Sequence, residues 1–147
     1  MKKNLYQWLT FDMTVFVVLN GLIIYFFGNA LESLRDIRVF DVVLLGLAAY
    51  RAANIISNEV VSKPLRAPFI DEVKEGGVLV EKPKKKGFLG AMGLLIYCPS
   101  CTGVWLSVLL VYSYALWPTA VFYIALFLAL SAVERIIART LASIKKK

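Results

Sequence analysis

Residues 88–117, FLGAMGLLIYCPSCTGVWLSVLLVYSYALW, decide the fold. They form an uncharged run of thirty residues. At about 1.5 Å rise per residue, one straight helix of that length would measure about 45 Å, against about 30 Å for a bilayer's hydrocarbon core. The run is broken at Cys98-Pro99-Ser100-Cys101. Proline lacks an N–H and suits a first helical turn better than a helix interior. Phe88–Tyr97 is therefore expected as a short interfacial or partly inserted helix, with Gly87, Gly90 and Gly93 allowing close packing. A span follows from Pro99 to Leu116. Trp117-Pro118 makes a tight turn, and the next span covers Thr119–Val133, continuing as a helix through Glu134, Arg135 and Arg139.

Working outward, the first span is Phe11–Phe27, which reaches the roughly 20 residues of a crossing helix once Trp8 and Leu9 are included. Tyr25, Phe26 and Phe27 occupy the place where a signal peptide needs small residues, so the span is expected to be retained. A connector, Gly28–Val39, leads to the second span, Phe40–Ile56, which contains Asp41, Arg51 and Asn54. Arg51, Asn54 and Asn58 are spaced i, i+3, i+7 and share a helix face, expected to meet other helices or the aqueous boundary rather than lipid. Residues 57–87 hold three prolines, two adjacent glycines and seven Lys/Arg, the composition of an extramembrane loop. Within it, residues 64–75, PLRAPFIDEVKE, are expected as a short helix with Phe69, Ile70 and Val73 turned inward, broken by Gly76-Gly77. The expected fold class is all-α: a multi-span transmembrane helical protein with four spans and a short interfacial helix before the CPSC motif. Residues 1–39 are read as an N-terminal transmembrane extension and 40–147 as the main helical membrane domain, with a cytoplasmic loop at 57–87.

Composition supports this class. The chain is 59% hydrophobic and only 18% charged, with mean hydropathy +0.70, whereas soluble domains run at about 25% charged. Such apolarity excludes a disordered chain, and two cysteines exclude a disulfide scaffold. Of the seventeen Lys and Arg, fourteen fall in the N-terminus, the 57–87 loop and the segment from Arg135 onward. The positive-inside rule puts these three segments, and so both termini, in the cytoplasm of a multi-pass inner-membrane protein. The net charge of +7 then reads as orientation rather than as a nucleic-acid footprint, and no nucleic-acid partner is expected. Lys84, Lys85 and Lys86 are candidates for contact with anionic lipid.

Topology gathers the polar residues at one membrane face. Arg51 there has two readings: it snorkels to the interface, or it pairs with Glu134 and fixes how the helical hairpin packs. Cys-x-x-Cys at a helix start puts two thiols on one turn, where the helix dipole and backbone N–H groups favour thiolate. Three readings stay open for Cys98 and Cys101. They are a structural kink, dithiol redox chemistry with Cys98 attacking and Cys101 resolving, or metal binding. Zinc takes four ligands. With no histidine in the chain, a zinc site would be shared between two copies in a homo-oligomer. No catalytic dyad and no phosphate loop is visible.

At RAANIISNEVVSKPLRAPF (51–69) and CPSCTGVW (98–105) the chain resembles the DUF1360 family, a bacterial membrane-associated family of unknown function in which some members carry a sporulation label. The matching residues are Arg51, Glu59, Pro64-Leu65-Arg66, Cys98, Pro99, Cys101 and Trp105, and the resemblance covers about residues 40–140. Asn54, Gly93-Leu94-Leu95 and Ser100 stand where the family often has a basic residue, an acidic residue and an aromatic. The resemblance implies a helical membrane fold and no activity. The expected role is a small structural or interaction component whose polar face looks to the cytoplasm, with Arg51, Asn54, Arg66, Trp105 and Glu134 as structural or interaction residues. The alternatives are a membrane dithiol redox or metal-binding protein using Cys98 and Cys101, and a small pore former.

Overall fold

A computed structural model describes residues 2–75, 78–84 and 87–145. Its central element is α2 (Val39–Asn58), packed between α5 (Pro99–Leu116) and α6 (Pro118–Ile144). Antiparallel to α5 and parallel to α6, it brings Ser57 to Thr102 and Arg51 to Ser131. The shared core is Leu44, Leu45, Ala48, Ala49, Leu110, Val121, Ala125 and Ala129. Half of these are alanines. Small residues let helix axes approach closely, which is what holds helices together where the surroundings are as apolar as the side chains.

Four helices are long and apolar enough to cross a membrane: Thr10–Asn29 within α1 (Lys2–Leu31), then α2, α5 and α6. The expected four spans are present. The third has the expected limits, and the fourth continues as one helix to Ile144. Chain breaks fall where the local chemistry puts them. Pro118 occupies the first turn of α6 after Trp117, and a 3-10 turn at Glu32–Asp36 joins α1 to α2.

Helix α1 touches the rest along one stripe. Asp12, Val15, Phe16, Asn20 and Ile23 are half-buried there, on one helical face. Phe16 meets Trp105 of α5 edge to face, with centroids 4.9 Å apart, and Tyr112 Oη donates to Asn20 Oδ1 at 3.1 Å. These contacts make α1 parallel to α5.

The 57–87 segment departs from expectation. Its helix is only the four-residue α3 (Lys63–Arg66). The helix expected over 64–75 is instead an antiparallel hairpin of β1 (Ile70–Glu75) and β2 (Val78–Pro83), with Asp71 opposite Lys82 and Glu72 opposite Glu81. Glu75 pairs with Val78, so Gly76 and Gly77 lie between the strands and outside the described residues. The reason is legible in hindsight. Ile70, Val73 and the Val78-Leu79-Val80 run have strand propensity, and a Gly-Gly pair between two such runs is a two-residue hairpin signal. Ile70 is buried as expected, whereas Val73 is exposed.

The short helix before the CPSC motif is α4 (Gly87–Tyr97). It leans on the base of the hairpin through Gly93, where any Cβ would collide with the Phe69 carbonyl oxygen and press on Pro83. That carbonyl also accepts the Lys84 N–H at 3.1 Å.

The distribution of side chains is inverted relative to a soluble domain. Much of the buried set is alanine and polar groups, among them Asp41, Asn54, Ser57, Ser62, Arg66 and Thr102. Phe11, Val17, Ile24, Phe26, Val42, Phe127, Leu130 and Ile137 face outward.

Candidate functional site

The polar residues gather at the end of the bundle where α2 stops and α5 begins. A helix ends with four carbonyls that lack internal partners, and here downstream residues supply them. Ser62 Oγ sits 2.5 to 3.0 Å from the carbonyl oxygens of Ile55, Ile56 and Glu59, with one proton to donate among them. Arg66, only 5% exposed, donates through Nη1 to the Ser57 carbonyl and through Nη2 to that of Glu59 at 3.0 Å. Its charge suits the negative end of the α2 dipole. Glu81 Oε2 on β2 lies 3.3 Å from Arg66 Nη1, tying the hairpin to the same cap.

Above this cap stands a charge cluster. Glu59 Oε1 accepts from both Arg51 Nη1 on α2 and Arg135 Nη1 on α6. Arg51 Nε also donates to Ser131 Oγ at 2.8 Å. All three charged side chains are partly shielded, at 13% exposure for Arg51, 21% for Glu59 and 26% for Arg135. One carboxylate serving two guanidiniums leaves the trio net positive. The Nε atoms of Arg66 and Arg135 are buried without a hydrogen-bond partner among the described residues.

The acid beside Arg51 is thus Glu59, not Glu134, which is exposed on α6. The buried face of α6 runs through Val121, Ala125, Ala129 and Ala132. Extending it by three residues gives Arg135 and points Glu134 away. Helical periodicity could have found this, but Glu59 lies beyond the end of α2, where no helical pattern reaches. Asn54 is buried as expected. Its Nδ2 donates to the Tyr50 carbonyl at 2.9 Å, and its Oδ1 accepts from Asn58 Nδ2 at 3.3 Å. Lys84 is half-buried, its Nζ 4.0 Å from Asp71 Oδ1, while Lys85 and Lys86 lie outside the described residues.

The dithiol sits at the start of α5. Cys98 is the N-cap residue of α5: its backbone is extended and its Sγ accepts the Cys101 N–H at 3.4 Å, the role usually filled by a serine or aspartate oxygen. Pro99 fills the first turn. Both cysteines are free, and Cys101 Sγ donates to Cys98 Sγ across 2.7 Å. A disulfide needs about 2.05 Å, so a small rotation would close the pair. The thiol and backbone N–H of Cys101, together with the Ser100 N–H, hold the Cys98 thiol below its ordinary pKa. Thr102 anchors the turn, donating through Oγ1 to the Leu95 carbonyl at 2.9 Å. Trp105, one turn further, is the docking point of α1. Among the described residues no three Cys, Asp or Glu side chains are grouped to hold a metal ion.

Two further acids, Asp12 with no role expected from the sequence and Asp41 noted only as lying within the second span, complete this end view and its opposite. Asp12 on α1 lies beside the Trp105 indole. At the other end of the bundle the buried Asp41 accepts from Arg38 Nε at 3.1 Å. An ionisable residue within an apolar span is the available signal for both.

Taken together, the fold and site define a helical bundle of membrane-length apolar helices with a polar cap and a dithiol at one end. The chain belongs to the DUF1360 family, described as "Protein of unknown function (DUF1360)", which matches residues 44–141. It is 31% identical over 104 residues to a protein of Bacillus subtilis (strain 168) named "Sporulation protein YjcA", covering 65% of this chain and 86% of that protein. No solved structure matches the chain. The α2 cap, the charge cluster and the dithiol all fall inside the matched region, while α1 lies outside it.

Proposed function

We propose that the protein is a four-span integral protein of the bacterial inner membrane, both termini cytoplasmic, acting as a small interaction component through its polar end. One observation carries this reading: large apolar side chains cover the outside of the bundle while alanines and bonded polar groups fill much of its inside. That arrangement suits lipid and would aggregate in water. The cap on α2 supports an assembly role, because most of its polar groups are spent on holding helices and hairpin together. The basic loop and C-terminus add contact with anionic lipid through Lys84, Lys85 and Lys86. Alkaline phosphatase fused after residue 38 or 117 should be active, and after residue 84 or 145 inactive. The opposite pattern would overturn the topology. The name of the Bacillus subtilis relative extends the proposal to spore development, testable by expressing this chain in a strain lacking that relative and counting heat-resistant spores.

A second reading, dithiol redox chemistry at Cys98 and Cys101, is favoured by the 2.7 Å sulfur separation at a helix N-terminus. Changing both cysteines to serine separates the readings. An unchanged fold and phenotype would remove the redox reading, and with it a zinc site shared by two copies, for which one zinc per two chains is the positive mark.

A further inference from the structure

We propose that Asp12, supplied by α1, is the proton acceptor that activates Cys101 for resolving a mixed disulfide on Cys98. This inference rests on the dithiol reading.

Helices α1 and α5 run parallel, and they touch at Phe16–Trp105 and at Asn20–Tyr112. One turn back from Phe16 is Asp12, and one turn back from Trp105 is Cys101. The seam therefore sets the carboxylate at the level of the dithiol turn, close enough to the Cys101 thiol for the two to interact. Asp12 belongs to the covered stripe of α1, the rest of which is apolar or amide. A carboxylate in an apolar span is costly unless it has a partner or a task. It lies beside the Trp105 indole, with lone pairs left for a proton. The groups of α5 that interact with it are the Trp105 indole and the Cys101 thiol, and Tyr97 is the one ionisable side chain of α4. No lysine or arginine of α4 or α5 stands close by to neutralise it.

The chemistry balances with an external disulfide as the oxidant. The Cys98 thiolate attacks one sulfur, a Cys98–S–S–R bond forms, and the first R–S⁻ leaves. Asp12 takes the Cys101 proton across one water. The Cys101 thiolate attacks Cys98 Sγ, the bond to R breaks, and the second R–S⁻ leaves with the proton from Asp12. The chain gains a disulfide, the substrate is reduced to two thiols, and a cytoplasmic thiol returns the chain to its dithiol state.

The full-length protein in detergent micelles, mixed with one equivalent of 5,5′-dithiobis(2-nitrobenzoate), reads both steps by colour. A fast first release of thionitrobenzoate reports Cys98, and a second reports resolution by Cys101. Asp12→Asn keeps a polar side chain of the same size beside the indole but cannot take a proton. It should leave the first release unchanged and slow the second at least tenfold at pH 7, with Asp12→Glu restoring it to within threefold. The native second phase should be nearly flat from pH 6 to 8, while that of Asp12→Asn falls about tenfold per pH unit toward acid. An Asp12→Asn second phase as fast as the native one overturns the role of Asp12. So does a native second phase that itself falls tenfold per unit, which decides the matter even if the variant does not fold. A native protein that releases a single equivalent overturns the dithiol reading beneath it.

Discussion

Helices α1 and α2 each offer a twenty-residue window of similar apolarity, and the bundle uses them in opposite ways. Eight residues of α2 are buried, and it is packed on α5 and α6. None of the described residues of α1 is fully buried, and it rests on one stripe. Apolarity alone does not choose the central helix. What distinguishes α2 is Ala48, Ala49 and Ala53 on one face, with Asn54 and Ser57 continuing it as polar rungs. The exposed faces of α1 carry Phe11, Val17, Tyr25 and Phe26, which suit lipid and obstruct close approach of another helix.

The contrast can be broken or sharpened by substitution, taking the largest effect first. Ala48 is fully buried, so Ala48→Leu should overpack the interface by about 3 kcal/mol. The check is reversible unfolding in mixed micelles, and a change under about 1 kcal/mol would show that α2 is not the packing centre. Glu59→Ala should cost about 1–3 kcal/mol, between the values for exposed and buried pairs, because it leaves Arg51 and Arg135 facing each other. Pairing it with Arg135→Met in a double-mutant cycle should recover part of that loss. Phe16→Ala should cost about 1 kcal/mol. It should loosen α1 alone, seen as faster proteolysis within 1–36 while the remainder persists.

A smaller effect is read in pH. The thiolate is the reacting form, and bonds from Cys101 lower the Cys98 pKa. The pH–rate curve for alkylation of Cys98, followed by mass spectrometry, should therefore lie on the acid side of an ordinary thiol. Cys101→Ala should move it back toward alkaline pH. Smallest of all, Val17→Ala on the outward face of α1 should change stability by less than about 0.5 kcal/mol.

The four spans were legible in the sequence because each is a long apolar run ended by Pro, Gly or charge, signals that need no partner to act. The CPSC motif was legible as a helix start because Pro99 permits little else. The hairpin at 70–83 is not legible because Gly76-Gly77 reads equally as a helix break and as a two-residue connection between strands. The charge cluster was half legible. Arg51 declared itself as a cation in an apolar run, but its acid lies past a helix end, and the position of Glu59 depends on the turn built by Ser62 and Arg66. The sequence shows Asp12 as an acid in an apolar run, but not what it stands beside. Its meaning comes from the register between α1 and α5, which no single helix encodes.

The cap on α2 makes the loop and the span one mechanical piece. Because Arg66 holds the last carbonyls of α2 and meets Glu81 on β2, a protein that grips the hairpin also grips the end of the central helix. Pulling or twisting the hairpin would uncap α2 beside the rung from Ser57 to Thr102 and so disturb the turn that presents the two sulfurs. The hairpin is a lever, with its fulcrum at Arg66 and the dithiol within its reach.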